Sequence, residues 1–297
     1  MKRNLIRQNV LPVLAAMIWG SAFIAQSVGA EHMEPCTFNT ARSIVAFFFL
    51  LGLCGVRRRF RGSAVRSWRE LFTAGGCCGT ALAVATWLQQ AGMATTEPGK
   101  AGFITALYIV IVPLIGKFFL RRQAPSTIWI SVALAAVGLY LLSVTEALTM
   151  EPGDVYMILC ALVFSVQILL IDHFSRRVDG VAMSCVQFLT MTAVSALGAA
   201  VTAETVSAEA LRVCLWAILY AGILSSGVAY TLQILAQKDS NPMVVSLLLS
   251  LEAVFAALSG ALFRHERMSG RELLGCALMF AGVVIAQIPR RDTLESA

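Results

Sequence analysis

The chain has 297 residues, of which 58% are hydrophobic and only 13% charged, and its mean hydropathy is +0.77. Soluble domains carry about 25% charged residues, so this balance excludes a soluble globule and belongs to a polytopic membrane protein. The net charge of +6 would suggest nucleic acid in a soluble chain, but here Lys and Arg fall between apolar runs, where they orient a membrane protein and meet lipid headgroups. No nucleic acid partner is expected.

About twenty apolar residues cross a hydrocarbon core of roughly 30 Å. Ten stretches read as transmembrane helices: 9–29, 37–56, 71–93, 99–120, 127–144, 155–171, 182–202, 211–235, 243–263 and 273–288. The first has a rival reading as a signal peptide, because Lys2, Arg3 and Arg7 precede an apolar run that ends on small residues at 28–30. With the N-terminus inside, 17 of the 23 Lys and Arg fall on the cytoplasmic side and 5 outside, with Arg42 within a span. Both termini are therefore expected in the cytoplasm and the chain in the cell membrane.

The stretch 242–266 echoes 98–122 at a distance of 144 residues: Pro98 matches Pro242, Leu107 Leu251, Gly116 Gly260 and Phe119 Phe263. The register continues through Leu71 and Leu215, Gln89 and Gln233, and Gly138 and Gly282. Removing the first segment would leave half a repeat unpaired, which favours its retention. Residues 1–146 then form a first unit of helices 1–5, residues 150–289 a second unit of helices 6–10, and 290–297 a short tail. Five spans is an odd number, so the second copy enters the membrane upside down. The expected fold is all-α, ten transmembrane helices in two inverted five-helix repeats, a plan in which the solute site lies between the copies near the midplane.

Polar residues inside the spans are the candidates for that site. Glu252 follows Pro242 by ten residues, hence about 15 Å deep, where a charge costs on the order of a few kcal/mol. A carboxyl at that depth is a candidate proton carrier, and a nearby cation would hold it charged; the plainer reading is a group that ties helices by hydrogen bonds. Ala256 and Ser259 follow it on one face and permit close helix approach or a wet groove. Tyr108 is its repeat partner, with Thr105 on the same face; the phenol either binds a solute or the carboxylate, or fills the core. Arg42, one turn after Asn39, either snorkels to the headgroups or faces inward as the partner of a substrate carboxylate or of Glu252. Gln26, Gln89, Tyr230 and Gln233 are expected as secondary lining, from faces such as Trp19, Ala22 and Gln26 or Ser226, Tyr230 and Gln233. A third face runs through Ser184, Gln187 and Met191, and Gln167 is a further amide. Each alone is ordinarily interhelical glue worth about 0.6 kcal/mol.

Several chemistries lack their residues. The eight cysteines form no CxxC pair and His32, His173 and His265 are far apart in sequence, so neither a disulfide framework nor a metal site is expected. There is no phosphate-cradling glycine loop with a Lys, which argues against ATP-driven pumping by this chain, and no GxSxG, HExxH or paired-carboxylate arrangement for a hydrolase. No cofactor and no enzymatic activity are expected.

Trp19-Gly20-Ser21-Ala22-Phe23, then Pro35, Phe38-Asn39 and Ala41-Arg42, together with 101–113, resemble the drug/metabolite transporter superfamily, specifically its ten-helix EamA-type members. The run from Ser250 through Glu252 to Leu258, then His265-Glu266-Arg267 and 274–284, is similar to the family's ninth and tenth helices. Two departures stand out: Ala253 where the family has proline, and Arg122 in the first copy where the second has Glu266. The resemblance implies transport of small metabolites, amino acids or related solutes, frequently by export. The expected function is thus a secondary transporter of a small polar or amphiphilic metabolite, an amino-acid-like solute or a drug, working by alternating access. A passive facilitator is the alternative, and a membrane-embedded lipid enzyme a more distant one. Expected partners are the solute, the lipid bilayer and protons as coupling ion, with a homodimer left open.

Overall fold

A computed structural model describes residues 6–61, 65, 67–96, 98–121, 125–143, 151–238, 240–263 and 268–287. Arg122, the His265-Glu266-Arg267 motif, the junction at 146–150 and the tail 290–297 lie outside the described residues. Helices dominate, and there is no strand among the described residues. After a π-helical turn at Ile6–Val10, the first half consists of α1 (Leu11–His32), α2 (Pro35–Arg61), α3 (Trp68–Gly92), α4 (Pro98–Thr105), α5 (Tyr108–Phe118) and α6 (Ser126–Ser143). The second half consists of α7 (Pro152–Ser175), α8 (Gly180–Val201), α9 (Ala208–Val213), α10 (Leu215–Leu219), a π-helical stretch Tyr220–Ala229, α11 (Tyr230–Gln237), α12 (Pro242–Leu249), α13 (Glu252–Phe263) and α14 (Gly270–Ala286).

Helix starts follow local chemistry. Proline opens α2, α4, α7 and α12, where its missing N–H costs nothing. Ser67, Asp179, Ser207, Asn241 and Ser269 cap α3, α8, α9, α12 and α14 by accepting otherwise orphaned backbone N–H groups. Among the described residues, eight helical stretches are long and apolar enough to cross a membrane: Gln8–His32, Pro35–Phe60, Trp68–Gly92, Lys100–Phe118, Pro152–Ser175, Gly180–Val201, Leu215–Gln237 and Pro242–Leu262. The other two expected spans, 127–144 and 273–288, correspond to α6 and α14, which at 18 and 17 residues are shorter. The outer surface carries large apolar side chains such as Phe48, Phe72, Leu197 and Val284. A soluble monomer would not expose so many, whereas lipid accepts them.

Several element bounds recur at a distance of 144 residues. Shifted by 144, α4 coincides with α12, Tyr108 at the start of α5 falls on Glu252 at the start of α13, and Ser126 of α6 falls on Gly270 of α14. Equivalent helices also meet each other, and they run antiparallel where they do. Along α2 and α8, Cys36 lies against Gly198, the Thr192 hydroxyl donates to that of Ser43 at 3.0 Å, and Arg57 pairs with Asp179. Along α6 and α14, a methyl on Gly138 would meet the Gly275 carbonyl at 2.6 Å and Met279 N at 2.8 Å, while one on Gly282 would meet the Ser131 carbonyl at 2.7 Å and Ala135 N at 3.3 Å. These two sets of neighbours are themselves related by the shift of 144.

Two expected spans are not continuous. The stretch 99–120 breaks at Ala106–Leu107 and 243–263 breaks at Ser250–Leu251, again 144 apart. At each break the backbone tightens into i+3 bonds: Leu107 N to the Ile104 carbonyl in one, Leu251 N to the Leu248 carbonyl in the other. A third expected span, 211–235, is interrupted by the π-helical stretch, an irregularity that often accompanies function.

Candidate functional site

The breaks and the π-helical stretch converge on one cavity. All seven residues expected as solute contacts line it: Arg42 from α2, Tyr108 from α5, Glu252 from α13, Gln26 from α1, Gln89 from α3, and Tyr230 and Gln233 from α11. Every one of them is buried. Two helix faces read from spacing reach it in part, through Trp19 and Gln26 and through Tyr230 and Gln233, while Ala22 and Ser226 are not in its lining. The third does not: Gln187 packs toward α3, its carbonyl 2.5 Å from where a methyl on Gly79 would lie, and is absent from the lining.

The cavity straddles the repeat. Four of its lining positions are occupied in both halves: Phe23 and Gln167, Gln89 and Gln233, Thr105 and Leu249, Tyr108 and Glu252. Glu252 begins α13 directly after the break, and its Oε1 accepts a hydrogen bond from the Tyr108 hydroxyl at 3.0 Å. Its helix is pressed against α1, since a methyl on Gly20 would lie 2.6 Å from the Glu252 carbonyl oxygen and from Phe255 Cβ. Small residues at such crossings let backbones touch.

Arg42 is 2% exposed, so it does not snorkel. Its Nη1 donates to Gln26 Oε1 over a long 3.4 Å, its guanidinium lies 5.8 Å from the Phe38 ring centroid, and its Nε has no partner. No ion pair joins Arg42 to Glu252 among the described residues; each charge-bearing group meets the cavity separately. Gln26 is positioned from behind, its backbone carbonyl accepting from Gln90 Nε2 at 3.0 Å. Trp19, Phe23, Phe164 and Tyr230 supply aromatic walls; the Trp19 and Tyr230 rings lie 4.7 Å apart, and Trp19 Nε1 donates to the Ser225 carbonyl at 3.1 Å, inside the π-helical stretch. The site therefore presents a cation with a free donor, a hydrogen-bonded carboxyl, several amides and an aromatic surround. That arrangement can hold a small solute carrying both polar and apolar parts.

Reasoning from sequence did not count Phe23, Phe164, Ile168, Ser225 and Leu249 among the lining residues. The signal available for two of them was the register: Phe23 stands opposite Gln167, and Leu249 opposite Thr105. No group of three or more His, Cys, Asp or Glu able to hold a metal occurs among the described residues.

Known proteins resemble this chain in sequence and in fold. A protein of Archaeoglobus fulgidus named as an uncharacterized transporter is 29% identical over 275 residues, which is 93% of this chain and 84% of that protein. The uncharacterized transporter YoaV of Bacillus subtilis is 23% identical over 91% of this chain and 93% of its own length. One solved crystal structure matches with a TM-score of 0.78 at 17% identity, covering 94% of this chain and 96% of that one, a likeness of fold alone. The signature of the EamA-like transporter family occurs twice, over residues 8–144 and 151–287. With both halves matched and the relatives named as transporters, the chain belongs to the EamA-like transporter family and is a membrane transporter.

Proposed function

We propose that this protein is a secondary transporter that exports a small polar or amphiphilic solute, amino-acid-like or drug-like in size, by alternating access. The observation that carries the reading is the composition of the cavity: residues of both halves, including Arg42, Tyr108 and Glu252, converge on one buried space. Ten spans in two inverted five-helix repeats are part of the proposal, supported by the antiparallel meeting of α2 with α8 and of α6 with α14. Rocking one half against the other then opens the space to either side. The Lys and Arg bias supports cytoplasmic termini in a cell membrane. Arg42, Tyr108 and Glu252 contact the solute, with Gln26, Gln89, Tyr230 and Gln233 as further lining, and Glu252 couples movement to protons.

The test starts from a thermal-shift screen of the solubilised protein against a metabolite library, since a bound solute raises apparent stability. The hit is then followed in proteoliposomes with an imposed pH gradient. Wild type should accumulate it uphill, and Glu252→Gln should move it only downhill. Uphill movement unchanged in Glu252→Gln removes the proton role. Flux that no ion gradient can drive uphill would make the protein a facilitator, and chemical conversion of the solute would make it an enzyme.

A further inference from the structure

We propose that Gln167 is a specificity-determining residue of the cavity and that it selects solutes presenting a carboxamide-type edge, a hydrogen-bond donor and acceptor side by side. The proposal rests on the transport reading above and narrows its substrate class.

α7 sets Gln167 in the cavity wall beside Phe164 and Ile168. Its side chain is 0% exposed, yet neither Nε2 nor Oε1 has a hydrogen-bond partner. Folded proteins rarely leave a buried amide bare on both its groups, and such groups persist where water or a ligand completes them. The duplication supplies an internal control. A shift of 144 carries Gln167 onto Phe23, which lines the same cavity and is buried there. An apolar side chain therefore satisfies the packing at this position of the repeated unit, so helix contact does not require the amide.

Two further bare polar atoms line the same space, Arg42 Nε and Gln233 Oε1. Arg42 only donates and the oxygen of Gln233 only accepts, whereas Gln167 has both roles open. A carboxylate brought to Gln167 satisfies Nε2 and leaves Oε1 bare; an ammonium does the reverse. A carboxamide, a ureido group or a nucleobase edge satisfies both at once. Sites built this way reject the analogue that leaves one buried group unpaired.

The purified full-length protein is melted in detergent with isobutyramide, isobutyrate or isobutylamine at matched concentration. Isobutyramide should raise the apparent melting temperature of wild type most, and Gln167→Met should abolish that rise. The isobutyrate shift should survive Gln167→Met and vanish in Arg42→Met. Gln167→Glu should transfer the largest shift from isobutyramide to isobutylamine. Without ligand, Gln167→Met should melt about 2 °C or more above wild type, because volume is kept while a bare amide is removed. An isobutyramide shift unchanged in Gln167→Met, or a ligand-free Gln167→Met that melts below wild type, overturns the proposal and leaves the transport reading standing. If none of the three compounds shifts wild type, the proposal falls, and the transport reading is decided by the flux assay alone.

Discussion

The hydroxyl of Tyr108 donates to Glu252 Oε1 at 3.0 Å, and the two residues are one position of the repeated unit, 144 residues apart. Each is the first residue after a break, one starting α5 and the other α13. A single hydrogen bond thus joins the two halves at the place where both depart from regular helix. A buried hydrogen bond nets about 0.5–1.5 kcal/mol, and removing one partner strands the other at a cost of about 1–3 kcal/mol. Tyr108→Phe is expected to destabilise by about 1–3 kcal/mol, and a cycle with Glu252→Met, which removes the acceptor, to show a coupling of about 0.5–3 kcal/mol. Reversible unfolding in mixed micelles measures it. Strict additivity would mean that the bond is not made.

The close crossing of α1 and α13 makes a second prediction. A methyl at Gly20 would lie 2.6 Å from the Glu252 carbonyl and 2.7 Å from Ala256 N, both backbone atoms that cannot swing aside. Gly20→Ala should therefore cost about 1–3 kcal/mol and displace Glu252, lowering transport more than stability alone explains. Gly52 is the control. Nothing lies within 4 Å of a methyl there, so Gly52→Ala should gain about 0.5–1 kcal/mol through helix propensity. Thermal unfolding and flux assays on the pair separate crowding from any general effect of alanine.

These two cases also mark how far the sequence could be read. The register between Pro98 and Pro242 pointed to a repeated unit; Glu252 stood out as a carboxyl deep in a span, Tyr108 as its partner in that register and Arg42 as a cation within a span. The helix breaks were not. Pro113 sits inside α5, past the first break, and the second half has no proline near Ser250 at all. There the Ser250 hydroxyl turns back to the Leu247 carbonyl at 2.8 Å, a competition that serines make in unbroken helices as well. Gln167 was visible only as one amide among several. What distinguishes it from Gln187 is the neighbour each helix face meets, and that depends on helix rotation, which spacing along one helix does not specify.

Asp179 offers a third test because it does two jobs. It caps α8, accepting from Val181 N at 3.1 Å and Ala182 N at 3.0 Å, and it receives both terminal nitrogens of Arg57 at 3.0 and 3.1 Å. The Arg57 side chain is 33% exposed, so solvent screens the pair and it contributes less than about 1 kcal/mol. Asp179→Asn keeps the cap and should cost under about 1 kcal/mol, a loss that shrinks as salt is added. Asp179→Ala removes both and should cost about 1–2 kcal/mol, mostly independent of salt. Unfolding at two ionic strengths distinguishes them; equal salt dependence in wild type and Asp179→Asn would show that the ion pair contributes nothing.

Two glutamines provide the sharpest test of inversion. Gln90 of α3 donates to the Gln26 carbonyl of α1 at 3.0 Å, and Gln237 of α11 donates to the Ile168 carbonyl of α7 at 2.9 Å. The helix pairs are equivalent under the repeat, and in each case the amide oxygen is buried without a partner. In the inverted arrangement the two bonds close opposite ends of the bundle. Each is worth about 1 kcal/mol, so losing one should shift the balance between inward- and outward-open states about fivefold. The reporter is Ser225→Cys, at the cavity wall, in a background whose eight native cysteines are replaced by alanine. An impermeant maleimide is applied to sealed vesicles of either orientation. Gln90→Leu should speed labelling from one side of the membrane and Gln237→Leu from the other. If both variants open the cavity toward the same side, the halves thread the bilayer in one sense and alternating access cannot work by exchanging their roles.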